Sequence, residues 1–162
     1  KVCTNQFTIS CYKLFIATNG FSESIIQELV VPARAQVLIT KPIKNLKVIG
    51  TFHFQQGYYY FRNIDDRILL GGGRNLDFHN ENTNEFGVTE TIQYKLEKLL
   101  KDVILPRSNF EIEQRWSGIM GIGNKKTTIT KQLSNNAYCG VRLGGMGVAI
   151  GTNVGAELAN LI

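Results

Sequence analysis

The chain has 162 residues, enough for one ordinary domain with a hydrophobic core, and at 43% hydrophobic and 19% charged it lies outside the disordered class. Eighteen lysines and arginines against thirteen aspartates and glutamates leave a net charge of +5, spread along the sequence rather than blocked. The densest basic pair, Lys125-Lys126, has no interleaved aromatics and reads as a turn tip, so no nucleic-acid partner is expected; no apolar run approaches the ~20 residues that cross a bilayer.

The start, Lys1-Val2-Cys3-Thr4, has neither an initiator methionine nor a charged-then-apolar signal segment, and reads like a chain entered partway. Leu14-Phe15-Ile16-Ala17 is a short apolar run that predicts a buried strand turning sharply at Thr18-Asn19-Gly20. Ser22 then caps an expected helix carrying Ile25, Ile26 and Leu29, ended by Pro32. A strand is expected over Gln36–Thr40, stopped by Pro42. Val48–Phe54, Gly57–Arg62 and Arg67–Leu70 predict three consecutive antiparallel strands, with Tyr58 and Tyr60 on one face and Tyr59 and Phe61 on the other. Residues 71–87 are polar without a hydrophobic period and read as a long loop, which by its length is a candidate for function.

Thr89–Ile104 gives the clearest helix, with Ile92, Leu96, Leu99, Leu100 and Val103 on one stripe. Strands follow over Glu111–Trp116, Thr127–Leu133 and Tyr138–Leu143, and a closing helix over about Met146–Leu161. Cys3, Cys11 and Cys139 form no CxxC and, being odd in number, no disulfide framework. His53 and His79 have no ligand cluster around them, so no metal is expected. The expected compartment is the cytoplasm.

Glycine carries the chemical signal. Of sixteen, six lie between Gly140 and Gly155. A strand entering such a turn and then a helix lets backbone approach a ligand, and the helix's free N–H groups favour an anionic or electron-rich group. The plain alternative is a close helix–sheet contact, for which Gly151 and Gly155 offer a bare stripe. Gly71-Gly72-Gly73 lacks the last glycine of G-x-G-x-x-G and is no phosphate cradle. Arg34, Arg115 and Arg142 suit a carboxylate, and the alternative for Arg34 and Arg115 is a structural ion pair. Arg142, inside the glycine-rich turn, is expected to need an anionic partner. Tyr58, Tyr59 and Tyr60 either line a pocket with hydroxyl handles or pack in the core, and Cys139 is either a reactive thiol or a small buried residue.

Five stretches, taken in order, resemble the carboxy-terminal part of the D-amino-acid oxidase family of FAD-dependent oxidoreductases, which includes glycine and sarcosine oxidase-like enzymes. They are Leu14-Phe15-Ile16-Ala17-Thr18-Asn19-Gly20, Pro32-Ala33-Arg34-Ala35-Gln36-Val37, Leu69-Leu70-Gly71-Gly72-Gly73-Arg74, Arg115-Trp116-Ser117-Gly118-Ile119-Met120-Gly121 and Leu143-Gly144-Gly145-Met146-Gly147-Val148-Ala149-Ile150-Gly151. The family's opening strand–GxGxxG–helix segment does not occur among these residues.

The resemblance implies an α+β fold, an antiparallel-sheet substrate domain flanked by remnants of a Rossmann-like FAD-binding domain of the glutathione-reductase type. Residues 1–40 would be a piece of the FAD-binding domain, 41–133 the substrate domain, and 134–162 the final strand and helix returning to the cofactor. It implies cofactor contacts at Thr18, Asn19, Gly20, Arg34, Gln36, Arg142, Leu143, Gly144, Gly145, Met146 and Gly147, and substrate contacts at Arg142, Arg115, Tyr58 and Tyr60. The expected activity is oxidation of an amine or amino acid by hydride transfer to FAD in a parent chain of which this is a truncated portion that does not itself retain the cofactor. A cofactor-free α+β binding domain is the alternative. Exposed sheet edges lead us to expect a homo-oligomer.

Overall fold

The computed structural model describes residues 1–162, and the strand-forming runs of the sequence fold into three sheets. The chain forms two compact units, Lys1–Pro32 with Met120–Ile162, and Ala33–Ile119. Two long strands, Val31–Thr40 and Ile112–Ile122, carry the backbone from one unit into the other.

In the first unit Val2–Cys3 (β1) and Thr8–Ile9 (β2) make a small hairpin that the sequence patterning did not announce. Leu14–Ile16 (β3) runs parallel to a late strand, Ala137–Val141. That strand also pairs antiparallel with Ile129–Ser134. Ile16, Ile26, Val30, Ile129, Cys139 and Val141 form the core.

The helix expected from Ser22 is absent, and this is a correction. A single 3-10 turn, Asn19–Phe21, is followed by one further turn in which Ile25 and Ile26 donate to the Ser22 carbonyl. The Ser22 hydroxyl is buried and shares a 3.0 Å hydrogen bond with Thr18 Oγ1 instead of capping. Only Ile26 and Val30 reach the core, while Ile25 and Leu29 stay exposed, so a short helix here has too little apolar face to outweigh its nucleation cost. Pro32 likewise does not end an element. It sits second in Val31–Thr40 (β4), at a strand entry where proline is tolerated.

The second unit is built on a five-stranded sheet. Thr51–Phe54 (β5), Tyr59–Ile64 (β6) and Arg67–Gly72 (β7) are consecutive and antiparallel, and β7 pairs antiparallel with β4. Ile112–Ile122 (β8) lies beyond β4, giving the order β5-β6-β7-β4-β8. β8 extends well past the expected end at Trp116. Glu90–Leu99 (α1) covers one face, burying Ile92, Leu96, Leu99 and Leu100 against Leu38, Tyr59, Ile68 and Leu70. The expected stripe then slips. The helix closes through a π-turn, Leu100–Ile104, in which the Leu105 N–H reaches the Leu100 carbonyl. The wider turn rotates later positions, so Ile104 is buried and Val103 is 57% exposed.

In the first unit the late strands are Ile129–Ser134 (β9) and Ala137–Val141 (β10), and Gly147–Ala159 (α2) packs on them through Val154 and Leu158. The close approach comes from the strand. A Cβ on Gly140 would stand 3.0 Å from Val154 Cγ1 and 3.3 Å from Leu158 Cδ2. Gly151 and Gly155, expected to face the sheet, meet nothing within 4 Å. The bare stripe on α2 points away from its own sheet.

Candidate functional site

The glycine turn between β10 and α2 is held by backbone conformations few residues accept. Arg142 has φ +61°, Gly144 +59° and Gly145 +81°. Leu143 N–H donates to Asn19 Oδ1 at 3.1 Å, and Gly144 N–H donates to the Gly121 carbonyl at 2.9 Å. Asn19 is itself left-handed, φ +46°, a conformation asparagine tolerates better than most residues. Gly121 must lack a side chain, because its Cβ would fall 2.5 Å from Asn19 Oδ1. Thus the Thr18-Asn19-Gly20 turn, the end of β8 and the glycine turn are joined by direct hydrogen bonds. Gly144, Gly145 and Met146 are exposed, Met146 caps α2 without a side-chain bond, and no acidic residue lies in the helix's first turn. The N–H groups of Gly145, Gly147 and Val148 have no protein acceptor.

Arg142 does not find the expected anion. Its Nε donates to the Thr127 carbonyl at 2.8 Å, Nη2 to Thr127 Oγ1 at 3.2 Å and Nη1 to the Leu29 carbonyl at 3.4 Å. Neutral acceptors suffice because the side chain is only partly buried, so its charge stays near solvent. The guanidinium therefore ties the 127 loop to the turn.

In the second unit the fate of Arg34 and Gln36 is set by Glu81, a residue of the polar 71–87 stretch. Glu81 is fully buried, and Arg34 grips it with Nε at 2.9 Å and Nη2 at 2.8 Å. That hydrogen-bonded fork raises the Arg34 pKa above its ordinary value. Gln36 donates to Glu81 Oε1 at 2.9 Å and accepts from the Thr89 N–H at 2.9 Å, so its amide bridges the buried carboxylate and the first residue before α1. Gln93 Nε2 reaches Gln36 Oε1 at 3.2 Å, and Arg115 donates to Gln93 at 2.8 Å and to Glu97 at 2.7 Å. The chain of polar groups pins the 73–89 segment and α1 to β4 and β8. Arg115 is thus in a structural ion pair, beside a cleft of about 330 Å³ that Tyr94 and Thr89 also line. No local pattern marked Glu81, since its acceptor role depends on donors 47 and 45 residues away.

The sheet face opposite α1 is the other candidate surface. Register sets His53, Tyr60, Gly71 and Val37 in one row across it. The Tyr60 ring lies over Gly71, where a Cβ would stand 2.6 Å from Tyr60 Cζ and Oη and from Val37 Cγ1. Burial pushes the Tyr60 phenol pKa up. Tyr58 precedes β6, is 44% exposed and stacks edge-on with Phe78 at 6.4 Å. Tyr59 points the other way into the core, its hydroxyl without a partner. Cys139 is fully buried, and burial raises its thiol pKa.

A family model described as FAD dependent oxidoreductase (DAO) matches residues 1–161. The chain belongs to this family. Solved DAO-family structures share the fold. The glycine oxidase of Geobacillus kaustophilus superposes with a TM-score of 0.77 at 13% identity, covering 97% of this chain and 43% of that one. The L-proline dehydrogenase of P. horikoshii gives 0.72 at 19% identity, covering 92% and 42%. The iminodiacetate oxidase of a Chelativorans species gives 0.70 at 18% identity, covering 94% and 42%. No curated protein sequence is matched. The chain therefore spans about two fifths of the length of these structures. The mixed α/β architecture with antiparallel sheets is that of DAO-family domains, and FAD is the cofactor expected for the family. No helix is long and apolar enough to cross a membrane.

Proposed function

We propose that this chain is the substrate-binding and flavin-facing portion of a DAO-family enzyme that oxidises an amine or amino acid. The carrying observation is the exposed, braced glycine turn at the uncapped start of α2. Its unsatisfied N–H donors, with no carboxylate nearby in the first turn, fit an electron-rich flavin edge. FAD, when bound, supplies the hydride acceptor that converts the substrate's C–N bond to an imine, which water then hydrolyses. The chain's own part is positioning and electrostatics. Leu143, Gly144, Gly145, Met146 and Gly147 would present backbone donors, and Asn19 with Thr18 and Gly20 would support them. Arg34 and Gln36 serve through Glu81, holding the 73–89 segment. In this reading the first unit would be the FAD-binding remnants and the second the substrate domain.

The substrate wall in this reading is the sheet face opposite α1, with the Tyr60 hydroxyl as hydrogen-bond handle and Tyr58 at its margin. Arg115 and Arg142 are each engaged by protein acceptors, which leaves Tyr60 as the stronger candidate for a substrate contact. β3 is a sheet edge, and Tyr12, 94% exposed, lies just before it, so we also propose self-association through this edge. The test of function is direct. The full-length polypeptide carrying these residues should be yellow, release flavin on denaturation, and be bleached anaerobically by an amine or amino acid. A colourless protein that takes up no FAD would end this reading.

A further inference from the structure

Asn19 stands among the residues read as cofactor contacts, yet its carboxamide is already engaged. Its Oδ1 accepts the Leu143 N–H at 3.1 Å, across 124 residues of sequence. Gly121 leaves the room this bond needs, since a methyl there would lie 2.5 Å from the same oxygen and 3.0 Å from the Asn19 carbonyl carbon. The next amide, Gly144 N–H, is fixed on the Gly121 carbonyl at 2.9 Å, and Met146 N–H on the Leu143 carbonyl at 2.9 Å. The first two amides of the turn are thereby turned inward. Those of Gly145, Gly147 and Val148 are left free on the exposed side. The left-handed backbone of Asn19 aims its short side chain across to the turn, and Gly145, at φ +81°, holds a conformation that favours glycine.

We propose that Asn19 is a positioning residue: by accepting the Leu143 N–H, it fixes the glycine turn so that the amides of Gly145, Gly147 and Val148 are presented together to the flavin. It acts through Leu143 and does not itself touch the cofactor. The proposal rests on the flavin reading above and deepens it by separating the residues that hold the turn from those that face the ring. Gly121 is the matching half of the device.

Two substitutions separate the bond from the backbone conformation. Asn19→Gly keeps the left-handed backbone and removes the acceptor, while Asn19→Asp keeps both. In this chain without cofactor, amide hydrogen exchange at Leu143 should quicken roughly tenfold in N19G and stay near wild type in N19D. Gly121→Ala should quicken it similarly, and N19G/G121A should add little to either single change, because both lose one bond. In the flavin-loaded full-length polypeptide, N19G should weaken flavin binding by about five- to tenfold and shift the flavin absorption and midpoint potential. The melting temperature of the cofactor-free chain should move little. Unchanged Leu143 exchange in N19G overturns the proposal outright. Quickened exchange with unaltered flavin affinity and spectrum overturns the link to the cofactor. If even the wild-type polypeptide binds no flavin, the functional reading fails and the proposal with it, and the exchange data alone would then describe a structural brace.

Discussion

Glu81 and Arg34 are a buried pair whose partners cannot be separated without leaving a charge in a dry site. Arg34 has 11% side-chain exposure and Glu81 none. Glu81→Ala should therefore cost about 3 kcal/mol by chemical denaturation, and Arg34→Met combined with Glu81→Leu should cost clearly less than the two single changes summed. Equal additivity would show that the fork contributes little. Tyr60 invites a different measurement. Its raised pKa keeps the phenol protonated, a donor, into alkaline pH. Because the unfolded chain releases that proton first, near its ordinary value of about 10, the linked stability is lost as pH rises beyond it. Gly71→Ala should push the ring off its seat against stiff Val37 and bring the titration back toward the ordinary value, at a stability cost of about 1–2 kcal/mol. Alkaline absorbance titration against a Y60F control reads this.

At the scale of elements, the packing of α2 on β10 depends on a glycine of the strand. Gly140→Ala should lower stability by about 1–2 kcal/mol, since its methyl meets Val154 and Leu158. Gly151→Ala and Gly155→Ala, whose methyls enter open space, should each raise stability by about 0.5–1 kcal/mol in the isolated chain. Thermal melts distinguish a sheet-facing from an open stripe by the sign alone. The turn that delivers Glu81 has an acid-sensitive latch. Asp77 accepts from the Asn80 side-chain amide at 2.8 Å and backbone N–H at 3.2 Å, which holds its carboxyl below the usual range. With the folded pKa depressed, this contribution is present above the ordinary value of about 3.9 and is lost as pH falls through the lower folded one. The stability gap between wild type and Asp77→Asn should accordingly close as pH drops from about 5 to 2.

For the whole molecule, the open stripe on α2 and the bare edge of β3 are consistent with a chain that spans about two fifths of its structural relatives. Light scattering on the isolated chain should find a species heavier than 18.2 kDa at a concentration where a Phe15→Lys variant, which charges the β3 edge, is smaller. A monodisperse wild-type monomer would remove the self-association proposal while leaving the flavin reading intact.

Elements whose signal is local can be read from neighbouring residues. The period of Ile92, Leu96, Leu99 and Leu100 makes α1, and alternation sets Tyr59 and Tyr60 on opposite faces, while packing chose Tyr59 for the core. The ordered short motifs carry the family, because each is a run of neighbours. Tertiary structure alone decided what depends on distant partners. Ser22 failed as a cap because Thr18 holds its hydroxyl, and the α1 stripe slipped where a π-turn widened the helix. Arg142 turned to Thr127 and Leu29, Arg115 to Glu97, and Arg34 to a glutamate 47 residues away. An arginine's five donors will take whatever acceptors the fold brings near, so its type announces a capacity, and only the packed chain chooses the partner. The same holds for the glycine turn. Its glycines are legible as a place where backbone can come close, but the brace that aims its amides runs from Asn19 to Leu143, a contact that exists only once β3 and β10 lie side by side.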